Sequence, residues 1–123
     1  MPRVLHSIRD RLDRVGVLLS GLCALHCVLG IVLVSVVGLG GEAFLSPEIH
    51  RIGLALAILV GLVTLGMGVR RHGQVGPLLI GACGVTLMAA ALAVGHGVSE
   101  AVLTIAGVGL VALAHIRNLR HAC

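Results

Sequence analysis

The sequence predicts an all-α membrane protein: a single domain over residues 1–123, built as a four-transmembrane-helix bundle with both termini cytoplasmic. Three observations predict it. Hydrophobic residues make up 58% of the chain and mean hydropathy is +1.12. Charged residues make up 11%, against roughly 25% in soluble domains. The charges also fall in a few clusters separated by long uncharged runs. A soluble fold of this size must cover a large surface with polar groups that this chain lacks.

Each run accounts for one helix. No Asp, Glu, Lys or Arg occurs between Arg14 and Glu42, and the later uncharged runs are Ile52–Val69, His72–Ser99 and Ala101–Ile116. A run near 20 residues crosses a hydrocarbon core about 30 Å thick at about 1.5 Å per residue. The expected spans are roughly 15–38, 52–70, 76–96 and 100–118. They leave too little chain for an extramembrane catalytic domain, and no enzyme is expected. There is no lysine and no G-x-x-x-x-G-K-[ST] loop, so no ATP-driven motor is encoded.

Arginine sets the expected orientation. Arg3, Arg9, Arg11, Arg14, Arg70, Arg71, Arg117 and Arg120 fall on one side of a four-span chain, and Arg51 alone on the other. That asymmetry places both termini in the cytoplasm. The apolar stretch after Arg14 is far longer than the 7–15 residues of a secretory h-region, so it is expected to be retained as a span. The segment Arg9-Asp10-Arg11-Leu12-Asp13-Arg14 reads as a short interfacial helix or an extension of the first span, with its charges on a solvated face. His72 beside Arg70-Arg71 reads as part of a wet cytoplasmic turn. Small residues recur at Gly16 and Ser20, Gly61, Gly66 and Gly68, Gly81 and Gly84, and Gly107 and Gly109. In lipid they permit close helix contact and a tight bundle with no wide aqueous pore. Tryptophan and tyrosine are absent, leaving Phe44 as the single aromatic anchor.

The candidate chemistry lies in the first span, at Gly21-Leu22-Cys23-Ala24-Leu25-His26-Cys27. Positions i, i+3 and i+4 share a helix face. Cys23, His26 and Cys27 therefore leave one arc with Cβ atoms about 5–6 Å apart. Thiolate and imidazole select soft or borderline cations over Mg²⁺ or Ca²⁺. The cluster lies about 13–20 Å along the helix from Arg14, near mid-bilayer. Cysteine also packs as a small hydrophobe, but an ionisable histidine inside a span is costly and points to function. These three residues are the expected metal site.

Other donors are weaker candidates. Cys83 in the third span stands at a depth near that of Cys23 and offers a third thiolate. Cys123 ends the chain where a departing cation would reach the cytoplasm. His50 with Glu48, and His96 with Glu100, fall at the outer interface as an entry group for cations. His115 either faces the bundle or is an interfacial histidine. Two rival classes share these residues: a membrane thiol-disulfide oxidoreductase using Cys23 and Cys27, and a haem-binding bundle using His50 and His96. The i, i+4 cysteine spacing strains a disulfide because both Cβ atoms tilt the same way. A small multidrug-type exporter needs a buried acid in the first span and abundant aromatics, and neither is expected here.

The whole pattern resembles the MerC family of small inner-membrane mercury transport proteins. The likeness rests on the basic N-terminus, L-C-A-L-H-C in the first span, the R-R-H turn, and L-A-H-I-R-N-L-R closing the fourth span. It implies that Cys23 and Cys27 take Hg²⁺ from the outer side of a bacterial inner membrane and pass it to cytoplasmic thiols. Family members carry C-A-A-C where this chain has C-A-L-H-C, and two tail cysteines where this chain has Cys123. His26 in the cluster makes Zn²⁺ or Cu⁺ plausible beside Hg²⁺. No cofactor is required. The expected partners are membrane lipid, the metal ion, a periplasmic donor, a cytoplasmic thiol acceptor and a second copy of the chain, with no nucleic acid.

Overall fold

The computed structural model describes residues 2–37, 47–95 and 98–121. Four helices follow in order: α1 (Pro2–Val37), α2 (Pro47–His72), α3 (Gly76–Ala93) and α4 (Val98–His121). Among the described residues there is no strand. Each helix is long and apolar enough to cross a membrane. Residues such as Leu18, Leu22, Leu59, Leu62, Leu79 and Val102 point outward and are more than half exposed. Aliphatic side chains in that position are stable against acyl chains, not water.

Local chemistry sets the helix ends. Arg70, Arg71 and His72 occupy the last turn of α2, where cations complement the helix dipole. Gly73 then takes φ +69° and its N–H bonds Val69 O at 2.9 Å, the left-handed stop that glycine permits. Pro77 opens α3, a position where its missing N–H has no helical partner to lose. α3 closes before Gly95, at φ +84°, so it ends short of the residue 96 expected from sequence.

α4 is the most buried of the four helices and packs against all the others. Its tightest contact is with α3. A Cβ on Gly84 would lie 2.6 Å from Gly107 O, and one on Gly107 2.7 Å from Gly84 O. The two backbones touch there, and close contact of this kind is what holds helices together in lipid. Met88, Val108 and Val111 form the apolar centre, with Cys23 and Ala24 of α1 packed against it.

α1 is unbroken for 36 residues, about 54 Å, which exceeds the hydrocarbon thickness. The segment 9–14 is therefore the continuation of the first helix, not a separate one. Its charges correct the sequence reading: Arg9 is 1% exposed and Asp13 0%. Arg9, Asp13, Gly16, Ser20, Cys23, Cys27 and Gly30 recur at steps of four and three, and all but the half-buried Cys23 are buried. This is one seam facing the bundle, and it carries the two charges inward with it.

Candidate metal centre

The seam places Cys27 among the starts of two other helices. His50 comes from the first turns of α2, and Glu100 from the first turn of α4. Ligand atoms of His26, Cys27 and His50 all lie within 4.8 Å of one another. Cys27 is fully buried, and its Sγ is 3.5 Å from His50 Nε2. The His26 and His50 rings are 5.9 Å apart at their centroids. On the far side of the His50 ring, Nδ1 is 3.2 Å from Glu100 Oε1. That spacing is within ion-pair range, although the atoms are not aligned as a hydrogen bond. In the tautomer that carries its proton on Nδ1, beside the carboxylate, the Nε2 lone pair faces the thiol. Histidine ligands of metals are oriented in this way. One sulfur and two imidazoles suit a soft or borderline cation.

The grouping differs from the one the sequence suggested. His26 and Cys27 stay together, but the third donor is His50, which sequence reading had put in a separate entry group. Cys23 stands one turn away, half-buried, with its Sγ 3.5 Å from where a Cβ on Gly53 would sit. Glu100, expected beside His96, faces His50. Cys83 does not supply a third thiolate: it is exposed on α3. His96 and Cys123 lie outside the described residues. Cys23 and Cys27 are free thiols.

A second polar cluster, missed from sequence, lies along the seam toward the chain termini. His115 Nδ1 is 2.7 Å from Asp13 Oδ1, and both side chains are at most 1% exposed. Asn118 Nδ2 donates to Asp13 Oδ2 at 2.9 Å and to Thr64 O at 3.2 Å. Thr64 Oγ1 donates to Val60 O and stands 3.4 Å from His115 Nδ1. The backbone N–H of Gln74 donates to His72 Nδ1 at 3.1 Å, so His72 Nε2 carries the proton and donates to Asn118 Oδ1 at 2.9 Å. His72 is thus an anchor of the cluster and not a free member of a wet turn. Glycines make the space: a Cβ on Gly68 would collide with Asn118 Oδ1, and one on Gly16 would meet His115 Nε2 at 2.5 Å. Stepping back from Cys27 by four and three residues would have reached Asp13 in the sequence.

Between the two clusters runs a cavity of about 30 Å³, bounded by Gly16, Ser20 and Cys23 of α1, Gly53 of α2, Met88 of α3 and His115 of α4. Leu19, Leu56, Val60, Val108 and Val111 make most of its remaining wall apolar, and its size is that of a water or one bare cation. A hydrated ion or an organic cation does not fit.

Comparison with known families matches residues 13–120 to the MerC mercury resistance protein family. The match covers nearly the whole chain, and the chain belongs to that family. No curated protein and no solved structure gives a match.

Proposed function

We propose that this MerC-family chain binds a soft or borderline metal ion inside the membrane and carries it into the cytoplasm. The observation that supports this reading is the convergence of His26, Cys27 and His50 ligand atoms within 4.8 Å, in helices that can span a bilayer. His50, backed by Glu100, and His26 receive the ion on the outer side. Cys27 draws it from them, and Cys23, one turn further in, completes a two-thiolate pair. Hg²⁺ is the first candidate on family grounds, and the two imidazoles extend the range to Zn²⁺ and Cu⁺. Orientation with both termini inside follows from the arginine asymmetry, and the bacterial inner membrane from the family likeness. A periplasmic donor and a cytoplasmic thiol acceptor then lie at the two ends of the path.

Thiols must lose their protons to bind, so affinity rises with pH while protons are still to be displaced. Purified protein loaded with Hg²⁺ is compared with a Cys23→Ser/Cys27→Ser variant, alongside uptake of labelled Hg²⁺ by cells holding equal amounts of each. The double variant should lose the tightly held ion and the uptake. Equal metal content in both would remove the site.

A further inference from the structure

We infer that Asn118 is the latch that shuts the ion's exit: its hydrogen bonds close the α1 seam between Cys23 and the end of the bundle that carries the chain termini. The inference rests on the proposed metal reading and adds where the path is closed.

The closure can be followed from Cys23 toward the termini. The small cavity beside Cys23 reaches as far as Gly16 of α1, Val60 of α2 and His115 of α4. Three or four residues on, along the same helix faces, stand Asp13, Thr64 and Asn118. Each of these is 0% exposed. Arg14 and Arg117 beside them are exposed, so this sealed layer sits where the span meets the aqueous phase. Arg9, one turn beyond Asp13, is also buried, and its side chain donates to Asp10 of its own helix. An ion on Cys23 therefore has no opening toward the termini while the layer holds.

One side chain ties the layer together. Asn118 Nδ2 donates to Asp13 Oδ2 of α1 and to Thr64 O of α2, and Asn118 Oδ1 accepts from His72 Nε2 of α2. A single amide on α4 thus holds both neighbouring helices, with three of the four hydrogen bonds an asparagine can make. Gly68 provides its seat, since a Cβ there would collide with Asn118 Oδ1. His115 adds a second tie from α4 to Asp13. The chemistry of the layer suits a seal that moves. Aliphatic side chains would close the bundle without burying an acid, an amide and an imidazole, which is costly unless every group is bonded. When hydrogen-bonded groups part beside water, water replaces the lost partner and little free energy is lost. An apolar seal would have to wet its hydrocarbon instead.

The experiment measures how fast a small, cationic, membrane-impermeant thiosulfonate labels the seam cysteines, with no metal present. Cys83→Ser/Cys123→Ser serves as background, so that only Cys23 and Cys27 report. Vesicles holding the full chain are labelled either from the face that carries the termini or from the opposite face. Asn118→Leu keeps the volume and removes all three hydrogen bonds. Labelling from the terminal face should rise about tenfold or more, because the open form gains population as its bonds are lost. Labelling from the opposite face should stay as it was. Gly68→Ala displaces the amide without removing a polar group, and should act in the same direction with a smaller rise. It decides the matter if Asn118→Leu does not fold. Unchanged labelling from the terminal face in folded variants overturns the latch, and so does an equal rise from both faces, which is general loosening. The metal reading fails separately: it falls if Cys23→Ser/Cys27→Ser in this background holds as much Hg²⁺ as the background does, whatever the labelling shows.

Discussion

Among the described residues the bundle contains two carboxylate–histidine pairs, one at each end of the α1 seam, and they are built differently. Glu100 stands 3.2 Å from His50 without hydrogen-bond alignment, and the His50 ring turns its other nitrogen to a thiol. Asp13 bonds His115 at 2.7 Å, with Asn118 saturating the second oxygen and both partners sealed from outside. The same two residue types thus do different work according to what faces the free ring nitrogen. At His50 it is a thiol; at His115 it is Gly16, at the edge of a small cavity. Satisfaction differs accordingly. A closed polar network such as that around Asp13 rigidifies its helices, whereas the contact between His50 Nδ1 and Glu100 adds no aligned hydrogen bond.

Removing a carboxylate should separate the two ends most sharply. Asp13→Ala leaves His115 and Asn118 buried without their acceptor, and each buried donor stranded in this way costs about 1–3 kcal/mol. Thermal unfolding of the solubilised protein should show that loss, with a matching fall in membrane abundance. The fraction that remains folded should still bind one Hg²⁺ per chain at Cys23 and Cys27. Loss of Hg²⁺ from well-folded protein would mean the ends form one site and the contrast is false.

The legible part of this arrangement follows from periodicity and cost. Four apolar runs sufficed for four helices because backbone in lipid must bond within its own segment. Cys23, His26 and Cys27 stood out because their spacing matches a helix face. His50 could be seen as a donor but not as a partner of Cys27, since pairing across helices depends on how α1 and α2 cross. Asp13 was hidden for another reason. In Arg9-Asp10-Arg11-Leu12-Asp13-Arg14 the alternating charges mimic a solvated face, and only the phase of the distant cysteines reveals which of them turn inward. Asn118 and Thr64 carry no signal of their own; Asn118 fits because Gly68 leaves room beside it, as Gly16 does for His115.

A smaller effect is expected at the other carboxylate. Glu100→Gln removes the charge behind His50 while keeping shape and a hydrogen-bonding group. Loss of a partner in this outer shell lowers metal affinity about 10–100-fold. Zn²⁺ competition titrations should show that drop with unfolding temperature nearly unchanged, the reverse of Asp13→Ala. Combining Glu100→Gln with His50→Ala should add little to His50→Ala alone, because the carboxylate acts through the ring. Full additivity would detach Glu100 from the metal centre.

The least effect belongs to Cys83→Ser. Cys83 is a thiol in a span, chemically able to hold the same ions, and its depth from sequence matches that of Cys23. It is nevertheless exposed on α3, while Gly84 beside it presses on the α4 backbone and Gly81 faces Leu65 of α2. One helix position therefore separates the packing stripe from the lipid-facing one. A cation on Cys83 would face acyl chains that cannot solvate it. Uptake of labelled Hg²⁺ at equal protein abundance should be unchanged in Cys83→Ser, and stability should move by less than about 0.5 kcal/mol. A fall in uptake comparable to that of Cys23→Ser would place α3 on the ion's route, and the path along the α1 seam would have to be redrawn.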